Sequence, residues 1–325
     1  MLDNLEINFF KKNRGLFVFS DPGGAKPLLS FIFNNKLKNY KVVSDRKYNF
    51  FLDFKINVNE FLNSNEKKII KDFNPDYLIT GTSYTSKIEL RFIKAAKELN
   101  IKTYSYIDHY TNFKERFLLN ENYNYPDNII LIDDKAEKIA KKNELDKFSK
   151  LLVMKNFYLD FLQQWEPFVS KIFLKNKLNI SENDKIILFA PDPLSNINGK
   201  ENYKFDEKDV LDIVINSLKK MKIINYKLII KLHPNQNRGY LLSNIANTDY
   251  VVFENNISSI DLIYFSDIII GMFSSILIEA KVFKKTIIRY FPASNSLDPL
   301  DRMNVGVKVK NSSDFYLKLK ENMSY

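Results

Sequence analysis

The sequence alternates, twice over, between short apolar runs and stretches with helical spacing. Apolar runs of about five residues bounded by turn residues mark buried parallel strands, because helices cover both faces of such a sheet. The first series is Gly15–Ser20 (GLFVFS), Lys41–Ser44, Pro75–Thr80 (PDYLIT), Ile101–Ile107 (IKTYSYI), Asn128–Ile132 (NIILI) and Leu151–Met154. Helices are expected from about Pro27 and over Ser86–Leu99. Phe157 to Ile180, with the single Trp165, has helical spacing and reads as a connection. The alternation then resumes with strands at Lys185–Phe189, Tyr226–Leu232, Tyr250–Phe253, Asp267–Gly271, Thr286–Tyr290 and Val305–Val309. Helices are expected at Glu207–Met221, from about Gln236, at Ser258–Phe265, Ser274–Phe283 and near Ser313–Asn322.

This pattern predicts an α/β chain of two Rossmann-like α/β/α domains facing a central cleft. The expected division is 1–158, a helical linker over 159–180, and 181–325, with the last helix a candidate to pack back on the first domain. A length of 325 residues exceeds the usual single core. In such domains ligands sit outside the carboxyl ends of the strands.

Composition narrows the function. The net charge is +10, but only seven of the 49 basic residues are Arg, the residue suited to bidentate phosphate and base contacts. The lysines are spread along the helices rather than massed, so nucleic acid is not the expected partner. The absence of Cys excludes a disulfide framework, a zinc finger and a thiol nucleophile, and fits a reducing cytoplasm. The longest apolar region, Leu262 to Phe283, is broken by Asp267, Glu279 and Lys281, so no membrane span is expected. The N-terminal stretch lacks the pattern of a signal peptide, and Phe9 and Phe10 read as a short element packed on the domain.

Both histidines follow expected strands: His109 in YIDHYTNFKERF and His233 in KLHPNQN. Four of the eight glycines also mark strand ends: Gly23 and Gly24 in SDPGGAKP, Gly81 in LITGTSYTS, and Gly271. There the backbone either approaches a ligand or takes a positive φ. SDPGGAKP has neither the dinucleotide fingerprint nor the P-loop pattern, and is expected to be an acceptor-side loop with Asp21 available to an acceptor hydroxyl. Thr82 and Arg116 are expected beside it. Ser274 and Ser275 open a helix after a buried strand, so their hydroxyls can cap it and its N–H groups form an anion site. Glu279, one turn on, is placed to accept from a ribose. Pro234 stops its strand and helps start the next helix. Asp192, in FAPDPLS, ends a strand and reads as a turn residue with cleft lining as the alternative.

His-Pro ending one strand and, about 40 residues later, Ser-Ser opening a helix resemble bacterial transferases of the GT-B fold. The stretches are KLHP (Lys231–Pro234) and SDIIIGMFSSILIEA (Ser266–Ala280). Bacterial sialyltransferases and polysialyltransferases look like this, as do the CDP-glycerol glycerophosphotransferases of teichoic-acid synthesis. The resemblance covers the C-terminal half. It implies that His233 contacts the donor phosphate and that Ser274 and Ser275 hold it. It also implies a CMP- or CDP-linked donor, favoured over UDP, with no catalytic metal and no cofactor. The sialyltransferases carry an acidic base motif, [DE]-[DE]-G, and this chain departs from it with Asp133–Asp134–Lys135.

The base is therefore sought among Asp108, His109 and Asp21, and the chemistry leaves the choice open, since a carboxylate or an imidazole can take the acceptor proton. No Asp/Glu/His cluster shows metal-ligand spacing. The expected function is an inverting, metal-independent glycosyltransferase of surface polysaccharide synthesis, acting on a nucleotide-sugar donor and a glycan or lipid-linked acceptor. Its expected place is the cytoplasm, with peripheral contact at the membrane face as an option. The alternatives are a UDP-sugar 2-epimerase-like enzyme, against which Ser275–Ile276 and the single Glu279 count, and a non-catalytic nucleotide-sugar-binding protein.

Overall fold

The computed structural model describes the chain except residues 1–3, 62–64, 84, 155, 234, 244, 246–250, 253–257 and 324–325. The chain divides into two compact units, Met1–Gln164 and Trp165–Tyr325. The first unit contains α1 (Asn4–Lys12), β1 (Gly15–Phe19), α2 (Pro22–Asn34), β2 (Tyr40–Ser44), β3 (Asn59–Glu60), α3 (Glu66–Phe73), β4 (Tyr77–Thr80), α4 (Ile88–Glu98) and β5 (Lys102–Ile107). It continues with β6 (Leu118–Leu119), β7 (Asn122–Tyr123), β8 (Asn128–Leu131), α5 (Asp134–Lys142), β9 (Lys150–Val153) and α6 (Phe157–Gln164). Among the described residues its sheet runs β3-β2-β1-β4-β5-β8-β9, with every pair parallel. The short β3 and the β6–β7 hairpin carry no five-residue apolar run, and the sequence pattern does not reveal them.

The second unit contains α7 (Lys171–Lys177), β10 (Lys185–Ala190), α8 (Gly199–Asn202), α9 (Glu207–Met221), β11 (Tyr226–Ile230), α10 (Arg238–Leu242) and β12 (Val251–Val252). Then come α11 (Ser259–Phe265), β13 (Ile268–Gly271), α12 (Ser275–Val282), β14 (Thr286–Tyr290), β15 (Val307–Val309) and α13 (Ser312–Met323). Its parallel sheet runs β12-β11-β10-β13-β14-β15 among the described residues. Tyr250 and Phe253, the expected ends of the strand there, lie outside the described residues.

The central strands are apolar and buried throughout, as GLFVF in β1 and IIIG in β13 show. Helices on both faces exclude water from them, so a period-2 pattern is neither needed nor seen. In each sheet the order reverses beside the first strand, between β1 and β4 and between β10 and β13. Such a reversal splays the adjoining loops and opens a crevice at the carboxyl ends.

Three expectations change. The 159–180 segment is not a separate linker. Its α6 belongs to the first unit, where Asn34 Nδ2 donates to the Phe157 carbonyl at 2.9 Å. Trp165 belongs to the second, with its ring 5.9 Å from both Tyr264 and Phe283. The last helix, α13, buries Phe315, Leu319 and Met323 in the core of its own unit with Val210 and Leu218 of α9. The helix expected from Pro27 begins at Pro22, so SDPGGAKP is a helix start rather than a loop. Proline is well suited to the first helical position, where its missing N–H would have no partner. Phe10 is 1% exposed and packs edge-on against Tyr77 and Tyr104, so it is part of the core, as expected.

Candidate functional site

At the reversal in the first unit, Asp21 stands at the N-cap of α2 without capping it. Its carboxylate accepts from Arg46 Nη1 at 2.7 Å, Ser83 Oγ at 2.5 Å and Thr85 Oγ1 at 3.0 Å. Three donors from the ends of β2 and β4 occupy it, which corrects its expected role as a base. Its lone pairs tie three strand ends together instead.

Asp108 follows β5 and is differently placed. One oxygen, Oδ1, accepts from Arg116 Nη1 at 2.9 Å. Arg116 also donates to the Thr82 carbonyl at 2.7 Å, the Thr82 hydroxyl at 3.1 Å and the Thr111 carbonyl at 3.2 Å. Thr82 Oγ1 in turn donates to the Tyr106 carbonyl at 2.9 Å. Arg116 is thus locked by β4 and β5, and it orients Asp108. The other oxygen, Oδ2, lies over the first turn of α2: a Cβ added to Gly23 would stand 1.8 Å from it. His109 is exposed, with Nδ1 3.0 Å from Thr111 Oγ1. The structure therefore brings together Asp108, Arg116, Thr82 and Gly23, with Asp21 on the adjoining strand end.

The glycines act here by close approach. None of Gly23, Gly24, Gly81 or Gly271 has a positive φ. A Cβ on Gly24 would come within 2.9 Å of the Gly81 Cα, so the α2 start and the β4 end cross backbone to backbone. Beneath that crossing lies Glu89 of α4, 2% exposed. Its Oε1 accepts the N–H groups of Ser20 at 3.1 Å and Ser83 at 3.2 Å. Burial pushes its carboxyl up to about 8, against the pull of the backbone N–H groups. Sequence reading missed Arg46, Ser83, Thr85 and Glu89. Only Glu89 carried a signal, as a charge among Ile88, Leu90, Phe92 and Ile93.

In the second unit the ends of β11, β10 and β13 are adjacent, so residues following β11 and β13 are separated by roughly 10 Å across the sheet. His233 follows β11. Its Nδ1 accepts the Asn235 N–H at 3.2 Å. In the neutral ring the proton therefore sits on Nε2, which is left as a donor. Burial, with help from Lys231, holds this histidine below its ordinary pKa. Pro234 lies outside the described residues. The loop is braced by Glu207, fully buried at the first turn of α9, which accepts from Gln236 Nε2 at 2.7 Å, Ser195 Oγ at 2.5 Å and Ser195 N at 2.9 Å. A capping box of Asp206 and Asp209 starts that helix.

Ser274 is the N-cap of α12, but its hydroxyl makes no capping bond, contrary to expectation. Asp192, after β10, reaches across instead and accepts the Phe273 N–H at 2.9 Å. Asp192 is thus more than a turn residue. Ser275 is exposed at the helix start. Glu279 is 2% exposed within α12. Gly271 is a packing glycine, since an added Cβ would stand 3.0 Å from the Ala190 carbonyl and 3.2 Å from Leu277. Among the described residues no group of three or more His, Cys, Asp or Glu is placed to hold a metal ion.

The family match lies mainly in this second unit. Residues 160–296 match the family model described as CDP-Glycerol:Poly(glycerophosphate) glycerophosphotransferase. The chain is 35% identical over 141 residues to the teichoic acid poly(glycerol phosphate) polymerase of Bacillus spizizenii, a match covering 41% of this chain and 33% of that protein. The match thus spans about a third of the length of that curated relative.

Among solved structures, the UDP-GlcNAc 2-epimerase of Methanocaldococcus jannaschii is similar with a TM-score of 0.63 at 12% identity, covering 96% of this chain and 93% of that one. The UDP-GlcNAc-bound 2-epimerase of Neisseria meningitidis has a TM-score of 0.56 at 15% identity, covering 96% and 92%. The ADP-heptose LPS heptosyltransferase II of E. coli has a TM-score of 0.57 at 11% identity, covering 95% and 98%. The fold is of the GT-B type, as expected. Among the described residues no helix is long and apolar enough to cross a membrane.

Proposed function

We propose that this chain is a transferase of bacterial surface glycopolymer synthesis, inverting and independent of metal and cofactor, which uses a cytidine-activated donor. The carrying observation is that the glycerophosphotransferase match, residues 160–296, contains His233, Ser274 and Ser275 after two strands, β11 and β13, that flank β10 in one sheet. We assign donor binding to the second unit. The His233 Nε2–H and the N-terminal end of α12 offer donors to a nucleotide phosphate, and the positive end of the helix favours that charge.

We assign handling of the acceptor hydroxyl to the first unit. The Asp108 carboxylate, held by Arg116, takes the hydroxyl proton while the acceptor oxygen bonds to the transferred group. The bond to the nucleotide phosphate breaks, and its electron pair leaves with the nucleotide. A CDP-linked polyol is favoured over a CMP-sugar, because the matched family model is the one described for CDP-glycerol. The acceptor is a glycan or a lipid-linked glycopolymer, and contact with the cytoplasmic face of the membrane belongs to the same proposal.

Thermal unfolding with CDP-glycerol, CDP, CMP and UDP tests it. Cytidine nucleotides are expected to raise the melting temperature, more than UDP does, and CDP-glycerol with a glycopolymer acceptor is expected to release CMP. No shift with any cytidine ligand sinks the reading. Conversion of UDP-GlcNAc without an acceptor supports the 2-epimerase alternative.

A further inference from the structure

The parallel ladder between β1 and β4 stops one rung short of the Asp108 site. Val18 pairs with Thr80, and the Gly81 N–H donates to the Val18 carbonyl at 2.9 Å. Parallel pairing advances by two residues per rung. The next rung would join the Ser20 N–H to the Gly81 carbonyl and the Ser83 N–H to the Ser20 carbonyl. Neither N–H takes that partner. Both turn to one atom, Glu89 Oε1 of α4, at 3.1 Å and 3.2 Å. A carboxyl group thus stands in the gap where the order of the strands reverses.

We propose that Glu89 is a positioning residue: its carboxyl group wedges the ends of β1 and β4 apart by one rung and so sets the place of Asp108 for the acceptor hydroxyl. This rests on the acceptor-side reading above and deepens it.

Both arms of the Asp108 setting hang from the two peptides that Glu89 holds. On the β4 side, Ser83 follows Thr82, whose carbonyl and hydroxyl receive Arg116 at 2.7 Å and 3.1 Å. Arg116 in turn donates to Asp108 Oδ1 at 2.9 Å. On the β1 side, Ser20 precedes Asp21 and the first turn of α2, where Gly23 lies against Asp108 Oδ2. Without the wedge, Ser20 and Gly81 close on each other, and Thr82 carries the anchor of Arg116 with it. Glu89 is 2% exposed, and among the described residues no Lys or Arg pairs with it. A carboxyl group buried in that way lowers folding stability, and a closed ladder would satisfy the same N–H groups without it. What Glu89 maintains is the gap.

Glu89→Met keeps the volume and removes the acceptor, whereas Glu89→Gln keeps a carbonyl for both N–H groups. With CDP-glycerol and a glycopolymer acceptor, Glu89→Met is expected to lower kcat about tenfold to a hundredfold while KM for the donor stays within about twofold of the wild type. Glu89→Gln at pH 7 is expected to hold kcat within about twofold of the wild type. Because Glu89 acts through Asp108, the Met substitution is expected to lower kcat no further once Asp108→Asn is in place. NMR of the Arg116 guanidinium nitrogens reads the position without turnover: ordered signals in the wild type and Glu89→Gln, shifted or averaged ones in Glu89→Met. Full kcat in Glu89→Met overturns the proposal, as does an undiminished effect on top of Asp108→Asn. If Glu89→Met does not fold, Glu89→Asp, one methylene too short to bridge both N–H groups, takes its place with the same expectations. A wild type inactive with CDP-glycerol removes the donor reading, and the Arg116 signals then decide alone. A change in Glu89→Met that Glu89→Gln lacks supports the wedge, and identical signals in all three proteins overturn it.

Discussion

Glu89 makes the stability of the first unit depend on pH in a direction opposite to most carboxylates. Its carboxyl titrates near 8 in the folded chain and near 4.5 when exposed. Between those values the unfolded chain has lost the proton and the folded chain keeps it. Each pH unit then lowers folding stability by about 1.4 kcal/mol. Summed from pH 4.5 to 7 the loss is about 3 kcal/mol, and it levels off above pH 8 at about 5 kcal/mol.

Glu89→Gln removes the titration while its side-chain carbonyl can still accept from the Ser20 and Ser83 N–H groups. Urea unfolding of both proteins, followed from pH 5 to 9, checks this. The stability of the variant relative to the wild type is expected to climb by about 3 to 4 kcal/mol between pH 5 and 8 and then stay level. A difference that is flat across that range, or that shrinks as pH rises, would refute the protonated, buried state of Glu89.

Other outcomes follow from the same geometry. Gly23→Ala is expected to leave stability within about 1 kcal/mol of wild type, because alanine favours the helix and the clash is with a movable side chain. It is expected to lower turnover strongly, because Asp108 must leave its place beside Arg116; unchanged turnover would remove Asp108 from the site. Asp108→Asn is expected to reduce kcat about a hundredfold or more while His109→Asn changes it little, as measured by nucleotide release. The reverse order would transfer the role to the histidine. Arg289→Met strips Asp298 of one buried partner and frees the Met272 carbonyl, so a loss of about 3 kcal/mol of stability is expected, read by chemical unfolding.

The period of the apolar runs was enough to establish two parallel α/β units, because a strand buried on both faces must be apolar at every position. The same rule placed His109, His233, Ser274 and Gly81 after their strands without any coordinates. What lay outside that rule was every contact between residues far apart in the chain. Gly23 and Asp108 are 85 positions apart in the sequence, and nothing local shows that a Cβ on one would strike the carboxylate of the other.

The sequence offered Asp21, Asp108 and His109 as equals. The tertiary structure separated them by their partners: three donors on Asp21, one anchored oxygen on Asp108, an exposed ring on His109. It likewise turned Asp192 from a turn residue into the brace of the turn before α12 and buried Glu279. Strand identity is written in local hydrophobicity, which each residue carries by itself. The working state of a polar group depends on which neighbours desolvate it and which donors reach it, and only the folded chain brings those together.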